Sequence, residues 1–202
     1  MVYRLDEYDL SNMTSLTKKL ICISNPNNVA KHIRSVVKQS YEVAYTDGSS
    51  RRTKGKSMCG LGVYYPFELD RNASYSVMGR PDSNRAELAA IHYAMYEGRD
   101  DKDILILTDS LCSIDMLRRN YETRESFDKF TKLLKSINSC IHDRKHSTVL
   151  AKVRGHSGVL GNVQADILAK TAPADLYWYT PDVTPQEIQT RVLQGGHVHF
   201  HD

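Results

Sequence analysis

The period of hydrophobic and polar positions changes several times in the middle of the chain, and each change marks a predicted element. Alternation over Glu42–Asp47 breaks at Gly48 and predicts a strand that ends in a turn. The segments Cys59–Tyr65 and Ala73–Met78 predict a second and a third strand. Because a basic hairpin-type loop, Arg51–Lys56, follows the first strand, we expect the three to form an antiparallel meander.

Strand and helix patterns alternate after this meander. The apolar run Ile104–Leu107 predicts a strand buried on both faces, and Thr148–Val153 predicts a last strand. Helical patterns occupy four further segments: Arg85–Glu97, Ser110 to about Asn120, about Ser126 to Cys140, and Asn162–Lys170. The order predicts an α/β fold with a mixed five-stranded sheet, three strands antiparallel and then two parallel, with helices on both faces.

Two flanking segments lack this regular pattern. We divide the chain into an N-terminal extension (1–40), a central domain (41–172) and a C-terminal extension (173–202). In the N-terminal extension, Leu16–Ile23 predicts a short helix or strand, and Val29–Gln39 predicts an amphipathic helix.

The C-terminal extension contains three of the six prolines of the chain. We predict a helix over Pro185–Gln194 that is capped by Thr184. The last residues, with alternating histidines, are expected to form a disordered tail. Trp178 is the single tryptophan, and we place it outside the core.

The composition is that of an ordinary globular protein, with 41% hydrophobic and 25% charged residues. A net charge of +3 permits an anionic partner without requiring one. Four widely separated cysteines without a CxxC pair favour a reducing compartment. No apolar run reaches the ~18 residues of a membrane span, and the acidic N-terminus does not resemble a leader peptide. We therefore expect an intracellular protein, nuclear or cytoplasmic, with no membrane partner.

Four acidic residues occupy positions that apolar residues would usually fill. Asp47 and Asp109 each follow a threonine at the end of a predicted strand, Glu87 lies on the core-facing stripe of a helix, and Asp166 lies among apolar helix residues. Taken singly, each acid is better explained as a helix cap or a salt-bridge partner. Taken together, they indicate one shared site for hard cations that act on a phosphodiester.

Four motifs contain these acids: Tyr-Thr-Asp-Gly-Ser (45–49), Asn-Arg-Ala-Glu-Leu (84–88), Thr-Asp-Ser (108–110) and Gly-His-Ser-Gly-Val-Leu-Gly-Asn-Val-Gln-Ala-Asp (155–166). In this order, they make the chain from Tyr41 to about Thr171 resemble a type 1 ribonuclease H. The resemblance does not extend to the small N-terminal hybrid-binding domain of eukaryotic relatives. The basic, tryptophan-containing protrusion of many cellular relatives is also shortened here, to residues 118–125.

The resemblance implies an endonuclease that hydrolyses the RNA strand of RNA–DNA hybrids and leaves 3′-hydroxyl and 5′-phosphate ends. It implies that Asp47, Glu87, Asp109 and Asp166 bind two Mg²⁺ ions, for which Mn²⁺ can substitute. It also implies that His156, in a glycine-flanked loop, assists proton movement or product release. An imidazole is suited to this role because its ordinary pKa lies near ~6.5.

The hybrid itself is expected to be recognised by shape, phosphates and 2′-hydroxyls. The residues that match contact positions of the family, or that hold its carboxylates, are Arg80, Ser83, Asn84, Arg85 and Asn162. Relatives often have asparagine where this chain has Ser83 and near Thr53, and Asp82 adds a negative charge beside the expected phosphate contact. We expect these differences to weaken hybrid binding and the basic loop Arg51–Lys56 to compensate in part.

Three alternatives to this function remain open. The chain could be a non-catalytic nucleic-acid-binding domain of the same fold, a DNA-acting nuclease of that fold, or a ribonuclease H domain derived from a reverse transcriptase. The presence of all four acids and of His156 argues against the first. The sequence does not identify a protein partner, and we expect a monomer.

Overall fold

The computed structural model describes residues 20–26, 41–53, 56–123, 127 and 129–200. Within these ranges, eight strands belong to one sheet. In chain order they are β1 Leu20–Ile23, β2 Glu42–Thr53, β3 Lys56–Tyr64, β4 Ala73–Val77, β5 Ile104–Thr108, β6 Thr148–Lys152, β7 Leu176–Trp178 and β8 His197–His199.

Five α-helices have both ends within the described ranges: α1 Ser83–Tyr96, α2 Leu111–Thr123, α3 Thr131–Asp143, α4 Leu160–Lys170 and α5 Pro185–Leu193. The Asp82 side chain caps α1, and Thr184 caps α5 as predicted, in a reciprocal pair with Glu187. In the described part of the chain, none of the helices combines the length and hydropathy needed to cross a bilayer.

The strands lie in the order β1-β6-β5-β2-β3-β4-β7-β8. Strands β2, β3 and β4 pair antiparallel, and every other neighbouring pair is parallel. This arrangement confirms the predicted mixed sheet, but the sheet has eight strands where five were predicted. The additional strands β1, β7 and β8 are three or four residues long, too short for a recognisable period.

The sheet separates two layers of apolar side chains. One layer contains Ala44 and Ile106 of the sheet together with the buried faces of α1, α2 and α3. The other layer contains Val43, Tyr45 and Leu107, and α4 reaches it where Gly161 packs on the Tyr45 ring. Helices therefore cover both faces of the sheet, as predicted.

Two glycines let helices approach the sheet at backbone distance. A Cβ on Gly48 of β2 would overlap the backbone nitrogen of Glu87 in α1. A Cβ on Gly62 of β3 would overlap the carbonyl oxygen of Ala165 in α4. Because only glycine leaves this space, the two contacts bring the helix segments that carry Glu87 and Asp166 directly against the sheet.

The C-terminal extension continues the sheet beyond β4, so two expectations about it were wrong. Trp178 is fully buried, with its ring centre 4.7 Å from that of Tyr93, and it is part of the core. The expected tail instead forms strand β8, in which His199 pairs with Trp178 and stacks on its ring. The stacking shows why the tail is ordered: Trp178 supplies a buried surface on which β8 can pack.

The ends of several other strands and helices differ from the predicted ends by smaller amounts. β2 does not end at Gly48 but continues to Thr53, because β3 pairs with it along this length. The third predicted helix begins at Thr131 and not near Ser126. In the N-terminal extension, Leu20–Ile23 is a strand, whereas Val29–Gln39 lies outside the described residues. The division at residues 40 and 173 stays a prediction, and both extensions contribute strands to the same sheet.

We predict that Trp178→Ala lowers the free energy of unfolding by about 3–5 kcal/mol, because it leaves a large cavity in the aromatic cluster. Urea unfolding followed by circular dichroism measures this change. Phe67→Ala is the matched control, since Phe67 is 82% exposed and its loss leaves no cavity. Equal stability of the two variants would contradict the assignment of Trp178 to the core.

Candidate active site

Strand register places Asp47 beside Asp109. The parallel pairing of β2 with β5 runs to Thr46 opposite Thr108, and each aspartate is the next residue of its chain segment. Beyond this point β2 continues alone against β3, with Asp47 opposite Gly62. The two carboxylates therefore lie where β5 ends and β2 continues.

Glu87 joins this pair from the first half of α1. Carboxylate oxygens of Asp47, Glu87 and Asp109 all lie within 4.8 Å of one another. Asp47 is only 6% exposed. The Oε2 atom of Glu87 is buried and has no hydrogen-bond partner among the described groups of the protein. The cluster therefore combines three acids with at least one unsatisfied acceptor.

Burial and mutual repulsion raise the pKa of two of these acids. Burial, followed by the charges of Asp109 and Asp166, raises the pKa of Asp47 to about 7. Burial, followed by the charges of Asp47 and Asp109, raises the pKa of Glu87 to about 9. Because both pKa values are raised, the nearby protein groups do not fully compensate the negative charges of the cluster.

The cluster has the properties of a divalent-cation site. Its donors are all carboxylate oxygens, the ligands that Mg²⁺ and Mn²⁺ prefer. Its negative charge is under-compensated, and Glu87 has a free oxygen that points to no protein donor in the described chain. The residues present therefore fit a bound divalent metal.

Asp166 lies beside this cluster but outside the group of three. The ammonium of Lys170, one helical turn further along α4, is 2.8 Å from its Oδ2 atom. This contact raises the pKa of Lys170, and the same ammonium partly opposes the rise in the pKa of Asp47. In this structure a lysine therefore supplies part of the missing positive charge at the edge of the site.

Two hydrogen bonds and one close backbone approach surround Asp109. The Nδ2 atom of Asn162 donates to Oδ2 of Asp109 over 3.1 Å, and Asn162 is buried. The ammonium of Lys152 at the end of β6 donates to the carbonyl oxygen of Asp109. A Cβ on Gly155 would lie 2.7 Å from Oδ2 of Asp109, so the loop passes directly over this carboxylate. The next residue, His156, is exposed and has a φ of 53°.

Sequence reasoning did not identify Lys152 or Lys170 as parts of the site. The i,i+4 spacing of Asp166 and Lys170 on one helix was a signal that could have predicted their ion pair. Lys152 pairs in register with Thr108, so the ends of two parallel strands bring it beside Asp109. That placement depends on the strand order, which no local pattern contains.

Of the candidate substrate residues, Asn162 lies on α4 beside Asp109, and the other four lie at or just before the beginning of α1 but differ in exposure. Arg80 and Ser83 are exposed and Asn84 is half-buried, whereas Arg85 is buried and paired with Asp182 of the C-terminal extension. The carboxylate of Asp82 accepts hydrogen bonds from the backbone N–H groups of Asn84 and Arg85. Part of its negative charge is therefore used to cap the helix.

The basic hairpin contributes to the structure as well as to the charge. The Arg51 guanidinium donates to the carbonyl oxygens of Ala169, Lys170 and Ala172 at the end of α4. A cation at a helix C-terminus stabilises these unpaired carbonyls. Arg51 is therefore committed to holding α4, and the compensation for weaker hybrid contacts expected of this loop stays a prediction.

The mixed sheet, the helices on both faces and the acidic cluster define the class of fold to which the chain belongs. A family model of RNase H matches residues 39–173, which is more than half of the chain. The chain therefore belongs to the RNase H family. Members of this family act on RNA–DNA hybrids and generally use divalent metal ions.

A curated relative gives a more particular similarity. The chain is 32% identical over 177 residues to a protein named ribonuclease H of the fission yeast Schizosaccharomyces pombe. The alignment covers 82% of this chain and 64% of the relative. The chain thus spans less than two thirds of the length of that protein.

We predict that the metal-free protein loses stability through Asp47 as the pH rises from about 4 to about 7. In this range the folded protein retains a proton on Asp47 that the unfolded chain has released, so the contribution falls by up to ~1.4 kcal/mol per pH unit. Asp47→Asn has no such titration. The stability advantage of this variant over the wild type, measured by urea unfolding in EDTA, should increase across this range and then level off.

Adding Mg²⁺ provides the control for this experiment, since a bound cation favours the ionised carboxylate. We expect the pH-dependent difference between the two proteins to shrink when Mg²⁺ replaces EDTA. Parallel stability curves in EDTA would contradict the assigned burial and repulsion at Asp47.

We also predict that Lys170→Met tightens Mn²⁺ binding and lowers the melting temperature in EDTA. The substitution removes a cation that a metal ion must compete with at Asp166 and that screens the cluster when no metal is bound. Calorimetric titration with Mn²⁺ measures the first effect. Lys135→Met is the matched control, because Lys135 is an exposed lysine of α3 on the other face of the sheet. Equal Mn²⁺ affinities of the two variants would contradict the proposed competition.

Proposed function

We propose that this chain is an endonuclease that hydrolyses the RNA strand of RNA–DNA hybrids, leaving 3′-hydroxyl and 5′-phosphate ends. The observation that carries the proposal is the convergence of Asp47, Glu87 and Asp109 within 4.8 Å in a member of the RNase H family. The name of the yeast relative agrees with it. The four acids come from four separated segments of the chain, which a purely structural role would not require.

We further propose that the site takes two Mg²⁺ ions, or Mn²⁺ in their place. Asp47, Glu87 and Asp109 would hold them, with Asp166 as the fourth acid after Lys170 releases it. When bound, such ions supply an activated water and stabilise the charge that develops on the scissile phosphate. The raised pKa of Asp47 and that of Glu87 support the proposal, because protein groups compensate the charges of both acids only in part.

The residues around the cluster would keep its geometry fixed during the reaction. Asn162 orients the carboxylate of Asp109, and Lys152 holds its backbone. A backbone N–H of Gly48 lies against Glu87 and favours its ionised form. Positioning of this kind reduces the reorganisation needed when the phosphate changes charge.

His156 is proposed to move a proton or to help the product leave. It follows Gly155, which passes over the Asp109 carboxylate, and its exposed ring is accessible to a substrate. Its backbone has a φ of 53°, a conformation that non-glycine residues seldom adopt and that is common at functional sites.

The hybrid is proposed to lie across the beginning of α1. Arg80 and Ser83 are exposed there, with Asn84 half-buried beside them. A guanidinium suits a phosphate, and hydroxyl and amide groups suit a 2′-hydroxyl. Recognition by shape and backbone needs few such contacts, because an A-like duplex offers 2′-hydroxyls in its wide minor groove.

We predict that the purified protein with Mg²⁺ cuts the RNA of an RNA–DNA 20-mer and leaves RNA–RNA, DNA–DNA and single-stranded RNA of the same sequence intact. EDTA should abolish cutting. Asp109→Asn should reduce it by at least about 100-fold, since the variant loses a metal-binding charge. Gel analysis of labelled strands measures both effects and identifies the ends.

Asp115→Asn is the matched control for this substitution. Asp115 lies on α2 and pairs with Arg118 at the surface, so its variant should retain activity. Tight binding of the hybrid without cutting would contradict the nuclease proposal and favour a non-catalytic binding domain. Cutting of DNA–DNA would favour a DNA-acting nuclease.

A further inference from the structure

The turn between β4 and α1 presents Arg80 at the surface. It runs from Met78 to Asp82, and Gly79 adopts a φ of 87° that an L side chain would strain. Arg80 is exposed, and Ser83 follows at the first position of α1. The position of both proposed contact residues therefore depends on how firmly this turn is held.

A segment of the C-terminal extension lies under this turn. We call residues 178–183 the turn support. Its Trp178 carbonyl accepts a hydrogen bond from the backbone N–H of Met78 over 3.4 Å. Its buried Thr180 donates from Oγ1 to the carbonyl of Met78 over 3.5 Å. A Cβ on Gly79 would lie 3.5 Å from Cγ2 of Val183, so the turn packs directly on this segment.

An ion pair joins the turn support to α1 on the other side of the turn. Asp182 pairs through Oδ2 with Nη1 of Arg85, and their side chains are 16% and 9% exposed. The same Nη1 atom lies 3.1 Å from the position of a Cβ on Gly79. Arg85 thus fills the space between the turn and Asp182, and loss of Asp182 would leave a buried guanidinium without its counter-ion.

We propose that Asp182 is a positioning residue for hybrid binding, which acts by fixing Arg85 and through it the turn that presents Arg80. The proposal rests on the proposed function. The turn support lies beyond residue 173, where the match to the family model ends, while the turn and Arg85 lie within it. A contact residue that is held in place before binding loses less freedom on binding, which raises affinity.

The test measures affinity for a labelled RNA–DNA 20-mer by fluorescence anisotropy in EDTA, where no cutting is expected. We expect Asp182→Asn to weaken binding about fivefold. Removing a negative charge would by itself strengthen binding to a polyanion, so weaker binding points to lost positioning. Asp175→Asn removes the same charge at an exposed site of the extension and should bind at least as well as wild type.

A double-mutant cycle with Arg80→Ala separates positioning from a general structural effect. If Asp182 acts through Arg80, the double variant should bind as weakly as Arg80→Ala alone, to within about twofold. If the two losses multiply, Asp182 acts by another route and the proposal is overturned. Asp182→Glu keeps the charge and should restore part of the affinity.

A second variant keeps the test decisive if Asp182→Asn does not fold. Thr180→Val retains the ion pair and removes only the hydroxyl that donates to Met78. It should show a smaller loss of affinity that again disappears in the Arg80→Ala background. If wild type neither binds the hybrid in EDTA nor cuts it in Mg²⁺, the proposed function fails and this inference fails with it. If wild type binds but Asp182→Asn and Thr180→Val bind equally well, only this inference fails.

Discussion

The central constraint on this structure is electrostatic: several carboxylates lie close together in a partly buried site, and this lowers the stability of the fold. Burial and repulsion raise the pKa of Asp47 and that of Glu87, so these acids destabilise the folded chain whenever they are ionised and no cation is bound. A protein retains such an arrangement when the charge is needed for function. The groups around the cluster reduce this cost without removing it, because Lys170 reaches only its edge and Lys152 is bonded to a carbonyl.

The sheet brings the acids together by register and by close packing. The parallel pairing of β2 with β5 ends at Thr46 and Thr108, so Asp47 and Asp109 follow side by side. Gly48 and Gly62 then allow α1 and α4 to contact the strands at backbone distance from opposite faces. A methyl group at either glycine would push a helix outwards, and the carboxylate on that helix would move with it.

The C-terminal extension is joined to the family domain by packing and by polar contacts. Trp178 enters the same aromatic core as Tyr93, while Ser76 Oγ donates to the carbonyl of Pro173. These contacts lie next to the turn that carries Arg80, so the extension supports this turn as well as the sheet edge. The family match therefore ends at residue 173, whereas the sheet continues to His199.

The sequence by itself determined the central strands and helices, because their hydrophobic patterns, apart from the continuous apolar run Ile104–Leu107, extend over five or more residues. It also predicted that Asp47, Glu87 and Asp109 lie together, as the structure has them, whereas the place of Asp166 in the same site stays a prediction. Strands β7 and β8 could not be predicted, because three residues are too few to show a period. Only the tertiary structure decided the partners of polar groups such as Arg85 and Lys152. Those partners come from distant parts of the chain, and burial selects them only after the sheet has formed.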